Sequence, residues 1–62
     1  MADLSIEERI YNLVESVGYI TAQEISDEVA LAVRHVERIL REDVRVAVVW
    51  NRWLLQYEWY RR

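Results

Sequence analysis

The chain has 62 residues, a net charge of −3 and 53% hydrophobic residues, and it contains no cysteine. This length allows one domain with a core that buries only about 60% of the unfolded chain's surface, and the missing cysteine excludes disulfides and thiolate metal sites. A single histidine, His35, argues against an imidazole zinc site. We therefore expect no metal and no cofactor, and we expect a homodimer to supplement the small core.

Charge is distributed unevenly along the chain. Residues 1–32 contain one arginine and seven acidic residues, whereas residues 33–62 contain seven arginines and four acidic residues. The acidic total argues against a protein that coats nucleic acid without specificity, but the basic second half is compatible with a localised contact. The acidic start, Met1–Ser5, is not typical of a signal peptide, and no apolar run approaches the ~20 residues of a membrane span. We expect a cytoplasmic protein without a membrane partner.

The first predicted helix covers residues 6–17. Ser5 and Glu8 have the spacing of a capping box, and Gly18 lies where a left-handed residue ends many helices. Between them, apolar residues recur at helical spacing. This apolar face comprises Ile6, Ile10, Leu13, Val14 and Val17.

A short extended link leads to a second predicted helix that starts near Ala22. Thr21 and Glu24 form another capping box, and Ile20 and Ile25 have the spacing of a hydrophobic staple. Two independent signals therefore mark the same helix start.

The end of this helix is open to two interpretations. One apolar stripe continues to Leu40 without a proline or glycine, which is compatible with one helix over about 22–43. A break near Ala30 instead gives helices over about 22–29 and about 33–43. Leu31 favours the break, because a straight helix would point this side chain into water whereas a turn would bury it.

The period changes to two in the C-terminal part, where apolar residues alternate over 44–50 and again over 53–59. This pattern predicts a β-hairpin over about 44–60, with Asn51-Arg52 as a two-residue turn. Tyr57 and Trp59, near the hairpin base, are expected to pack on the helices. The predicted facing pairs are Trp50 with Trp53, Val48 with Leu55, Val46 with Tyr57, Val44 with Trp59, Val49 with Leu54, Ala47 with Gln56, and Arg45 with Glu58.

The predicted fold class is mainly α with a C-terminal β-hairpin, that is, α+β. The segments Ile20-Thr21-Ala22-Gln23-Glu24-Ile25, Leu31 and Val36-Glu37-Arg38-Ile39-Leu40 resemble winged helix-turn-helix DNA-binding domains. The resemblance covers most of the chain and implies that helix 3 enters the major groove while the wing touches the DNA backbone or minor groove. Three residues depart from the pattern: Ala30 replaces the usual turn glycine, Ala32 the usual serine or threonine cap, and Asp43 a common core leucine.

Carried over by position, the resemblance implies that four arginines contact DNA: Arg34, Arg38 and Arg41 on the exposed face of helix 3, and Arg52 at the wing tip. The guanidinium fork suits both guanine edges and phosphates. An alternative is an ordinary solvated helix face, in which Glu37 and Glu42 neutralise the arginines four residues away.

The hairpin also carries apolar residues that a small core cannot reach, namely Trp50, Trp53, Val49 and Leu54. Exposed apolar clusters often mark partner interfaces, so we expect these residues to form a dimer or partner interface. Two functions follow: a DNA-binding transcriptional regulator, or a winged-helix protein-interaction module that does not bind DNA. We do not expect an enzyme, because the only histidine lacks an evident nucleophile and the chain leaves little room for a substrate pocket.

Overall fold

A computed structural model describes residues 4–62. Along these residues the chain forms three helices and three strands, an α+β arrangement in which a C-terminal antiparallel hairpin follows the helices. The elements are α1 (Ile6–Val17), β1 (Ile20–Thr21), α2 (Ala22–Val29), α3 (Val33–Glu42), β2 (Val46–Asn51) and β3 (Gln56–Arg61). Met1 to Asp3, on which the expectation about a signal peptide partly rests, lie outside the described residues.

The first helix begins and ends at the residues that the sequence marks. The Ser5 hydroxyl accepts a hydrogen bond from the Glu8 backbone N–H at 3.2 Å. Gly18 has a φ of 98°, and its N–H donates to the Val14 carbonyl at 3.0 Å. Glycine has no Cβ, so it adopts this positive φ at little steric cost. The bounds of α1 coincide with the predicted 6–17.

The start of α2 is a complete capping box. The Glu24 N–H donates to the Thr21 hydroxyl at 3.1 Å, and the Thr21 N–H donates to the Glu24 carboxylate at 3.1 Å. Each side chain thereby satisfies a backbone N–H that has no partner within the helix.

The chain breaks between α2 and α3, so the interpretation as one long helix is wrong. Ala30 ends α2 in the left-handed conformation, with a φ of 59°. Leu31 is half-buried and packs against the core, and its carbonyl accepts a hydrogen bond from the Ser26 hydroxyl. The next helix starts without a side-chain cap at Ala32 and ends at Glu42, one residue before the predicted end.

The three strands form one antiparallel sheet in the order β1-β3-β2. Trp59 in the central strand pairs with Ile20 of β1 on one side and with Val48 of β2 on the other. The two-residue link before α2 is therefore part of the sheet, and β2 is an outer strand. This combination of three helices and a small antiparallel sheet is compatible with a winged helix.

The hairpin forms with a different register from the predicted one. Trp50 pairs with Tyr57 and Asn51 with Gln56, so the loop comprises four residues, 52–55, and the two-residue turn is wrong. Leu55 closes the loop with a φ of 56°. The shift of β3 by four positions is even, and the side chains within β2 and β3 therefore keep their predicted faces of the sheet, whereas Trp53, Leu54 and Leu55 lie in the loop.

The core lies between the three helices and the helix-facing side of the sheet. Its buried apolar residues are Ile10, Val14, Ile20, Ala22, Ile25, Val36, Ile39, Leu40, Val46 and Trp59. Two expectations about packing are wrong, because Val17 and Tyr57 are exposed. Val17 lies at the end of α1, and Tyr57 lies too far along the wing to reach the helices.

Candidate nucleic-acid interface

The three arginines predicted on α3 lie together on its exposed side. Arg34, Arg38 and Arg41 are exposed, and with His35 they line a shallow depression on the surface. The buried residues of the same helix are Val36, Ile39 and Leu40. The helical repeat of 3.6 residues separates these two sets, so packing of α3 on the core directs the arginines outward.

The acidic neighbours on α3 form no direct ion pair with these arginines among residues 4–62. Within residues 4–62, the ion pairs join Arg45 to Glu8 and Asp43, and Arg61 to Glu15. Glu37 is half-buried and lines a groove on another side of the helix. The described residues therefore contain none of the ion pairs that would turn the α3 face into an ordinary salt-bridged surface.

Arg52, the fourth predicted contact, lies in the loop at the end of the wing. Its guanidinium carbon lies 5.3 Å from the centroid of the Trp53 ring. The Asn51 side-chain oxygen accepts from the N–H groups of Trp53 and Leu54 at 2.9 and 3.0 Å. Asn51 thus fixes the loop from the last position of β2, by hydrogen bonds that asparagine commonly makes two residues ahead.

The predicted interface residues are exposed and surround the outer half of the wing. Trp53 is 83% exposed and Leu54 is exposed beside it in the loop. Trp50, on the helix-facing side of β2, makes an edge-to-face contact with Tyr57 at 4.9 Å between ring centroids. Val49 lies on the other face of the sheet, so these residues form an apolar wing tip rather than one flat patch.

An ionic network that no local sequence pattern indicates lies at the base of the hairpin. Arg45 was expected to face Glu58, but its guanidinium binds the carboxylates of Glu8 and Asp43, both at 2.9 Å. The guanidinium also lies 3.8 Å from the centroid of the Tyr11 ring. These contacts tie α1 to the segment between α3 and β2, so Arg45 does not extend the line of arginines on α3.

This network shifts the acidity of two of its members. The hydrogen bonds from Arg45 lower the pKa of Asp43, against a smaller opposing effect of burial. The hydrogen bonds to Asp43 and Glu8 raise the pKa of Arg45. Both shifts favour the charged forms, as expected for an ion pair with direct hydrogen bonds.

A groove lies between the helices and the wing, and one of its lining residues has an unpaired polar atom. The groove is lined by the starts of α2 and α3 and by Trp50, Leu55 and Trp59. The Trp59 Nε1 atom is buried and has no hydrogen-bond partner among residues 4–62. No sequence pattern predicts this groove, because its lining depends on the hairpin register.

Comparison of the chain with protein-family models, with curated proteins and with solved structures found no match. The residues from 4 to 62 contain no group of three or more acidic or histidine side chains placed to hold a metal ion. Over the same residues, the helices are all too short or too polar to cross a membrane.

Proposed function

We propose that this protein is a DNA-binding winged-helix domain, a small transcriptional regulator that acts by binding and not by catalysis. The main support for this proposal is the face of α3, where Arg34, Arg38 and Arg41 are exposed together and form no ion pair within residues 4–62. In the proposed complex this face enters the major groove. Arg52 at the wing tip contacts a phosphate, since arginine commonly makes such positioning contacts.

The overall negative charge does not conflict with this function. The acidic residues are concentrated in the first half of the chain, whereas all four proposed contacts lie in the second half. In the proposed complex the exposed arginines of α3 are attracted to the DNA while the acidic residues of the first half are repelled, and this difference would orient the protein.

A binding experiment with matched variants tests the proposal. Fluorescence anisotropy would compare the wild type with Arg34→Ala/Arg38→Ala on a mixed-sequence duplex at about 50 mM salt, where phosphate contacts are strongest. Arg9→Ala/Arg61→Ala is the control, because it removes the same charge from exposed positions on α1 and β3. We expect the α3 variant to lose affinity by at least about tenfold and the control to bind nearly as the wild type. Equal losses in both variants would contradict a specific role for α3.

A second candidate function is a protein-interaction module that docks through the wing. It is favoured by the exposure of Trp53 and Leu54 and by the missing side-chain cap at Ala32. Aromatic side chains supply much of the binding energy at protein interfaces. If the wild type binds no duplex at about 50 mM salt, this function replaces the first.

A further inference from the structure

The outer strand β2 has a free edge whose polar groups can be located from the hydrogen-bond pattern. The Arg62 N–H donates to the Arg45 carbonyl at 3.0 Å. The register of β2 and β3 continues from this pair, with Val46 opposite Arg61 and Ala47 opposite Tyr60. Residues of an antiparallel strand alternate between bonding the neighbour and facing away from it. Ala47, Val49 and Asn51 therefore bond β3, whereas Val46, Val48 and Trp50 direct their N–H and C=O groups away from the sheet.

One of these three residues is already satisfied within the chain. The Val46 N–H donates to the Asp43 carbonyl at 3.2 Å, and the Val46 carbonyl accepts from Arg62 Nε at 3.2 Å. No comparable hydrogen bond within residues 4–62 reaches the outward groups of Val48 or Trp50. The open part of the edge thus consists of two N–H and two C=O groups.

This edge lacks the features that keep outer strands from pairing. β2 has the sequence Val-Ala-Val-Val-Trp-Asn, with no charged residue and no proline. Such residues, together with bulges or a covering segment, normally protect an exposed edge. The side chains beside the open groups are apolar and accessible, with Val48 45% and Trp50 49% exposed.

We propose that β2 pairs antiparallel with β2 of a second copy of this chain, about a two-fold axis that passes beside Val49. In this register Val48 of each copy faces Trp50 of the other, and the open groups form four hydrogen bonds. The two sheets then join into one sheet of six strands. The pairing does not depend on whether the protein binds DNA.

The second copy is favoured over another partner because the edge is self-complementary. Only two residues have open groups, and their spacing matches itself after a two-fold rotation. Because β2 has no charged residue, no like charges face each other between Val48 and Trp50, while Arg52 of one copy faces Val46 of the other, beside the Arg62 guanidinium. A stable interface buries about 800 Å² of accessible surface on each partner, which is about a sixth of the 4705 Å² accessible surface of this chain. Trp53 and Leu54 at the wing tip provide apolar surface next to the paired strands.

Sedimentation equilibrium without DNA, over about a hundredfold range of protein concentration, tests the proposal. The wild type should reach twice the 7.5 kDa mass of the chain. Val48→Pro removes one open N–H while it leaves the hydrogen bonds between β2 and β3 in place, and Val48→Lys puts a charge on the edge. Both should raise the dissociation constant at least about tenfold. Val44→Lys, at an exposed valine outside the strand, is the control and should dimerise as the wild type does.

Amide hydrogen exchange separates strand pairing from simple contact between apolar wing tips. The amides of Val48 and Trp50 should become protected as the wild-type concentration rises, whereas that of Val49 should be protected at every concentration. This readout holds even if a variant is poorly folded, because it needs only the wild type. A monomeric wild type, or a dimer in which these two amides stay unprotected, would overturn the proposal. Loss of DNA binding with the dimer intact would instead contradict only the proposed function.

Discussion

The guanidinium of Arg45 binds the carboxylate of Glu8 at 2.9 Å, although the two residues are 37 positions apart in the chain. This contact joins α1 to the segment that leads into the wing. The same guanidinium binds Asp43, which follows α3 directly. Arg45 thereby fixes how α3 and the wing, the two proposed DNA-contacting elements, are placed relative to the rest of the fold.

The Asp43–Arg45 contact predicts a pH-dependent contribution to stability. Arg45 lowers the pKa of Asp43 in the folded state. The contact therefore contributes its full stabilisation of the fold at pH values above the unfolded-state pKa of about 3.9. This stabilisation is lost as the pH falls through the lower folded-state value. Asp43→Asn should therefore reduce the free energy of unfolding at neutral pH, by about 1 kcal/mol for a partly exposed charged hydrogen bond. As the pH falls below the unfolded-state value and through the folded-state value, the variant and the wild type should converge.

Urea unfolding between about pH 7 and pH 2.5 measures this difference. Glu28→Gln is the control, because it removes one carboxylate from an exposed position on α2. A difference between Asp43→Asn and the wild type that is the same at neutral and acid pH would show that the charge on Asp43 is not what stabilises the fold.

The turn between α2 and α3 contains a conformational strain that one substitution can relieve. Ala30 has a φ of 59° and is exposed. This conformation costs a residue with a Cβ about 1–2 kcal/mol of folding free energy. Glycine avoids this steric cost, but it offsets part of the gain because it loses more backbone entropy on folding. Ala30→Gly should therefore stabilise the fold by roughly 0.5–1 kcal/mol, and Ala30→Val should destabilise it. Thermal unfolding of both variants checks the prediction, and two shifts of the same sign would contradict it.

The recognition-helix candidate α3 lacks an N-terminal side-chain cap. Ala32 has the extended backbone of a cap residue, with a φ of −61° and a ψ of 143°, but it provides no acceptor. Ala32→Ser supplies a hydroxyl for a free N–H of the first turn and should stabilise the fold by about 1 kcal/mol. Ala32→Val, which also enlarges the side chain but adds no acceptor, should not stabilise. Equal denaturation midpoints for Ala32→Ser and the wild type would count against an available N–H at this position.

The helices could be predicted from the sequence because their ends carry local chemical signals. Ser5, Gly18 and Thr21 each make the capping interaction that their residue types favour. The hairpin register could not be predicted, because alternation of apolar residues determines which face a side chain takes but does not distinguish shifts by two or four positions. The actual register depends on Asn51, which organises a four-residue loop from the end of β2.

In the candidate site, too, the features set by local spacing could be predicted and those set by tertiary contacts could not. The common side of Arg34, Arg38 and Arg41 follows from helical spacing alone, and the structure places these residues on one exposed face. The role of Arg45 could not be predicted, because its partner Glu8 is distant in sequence. Local spacing instead indicated a capping box between Glu8 and Ser5. Long-range ion pairs depend on tertiary packing, which no local pattern encodes.

DNA binding through α3 should appear in the salt dependence of the affinity. Each phosphate contact contributes about −0.9 to the slope of log K against log salt concentration. With each of the four proposed arginines neutralising one phosphate on or beside the groove, we predict a slope of roughly −3 or steeper for the wild type. The slope should be shallower by about 1 to 2 for Arg34→Ala/Arg38→Ala but unchanged for Arg9→Ala/Arg61→Ala. No measurable binding, or a slope that changes equally in both variants, would contradict the claim that α3 contacts DNA.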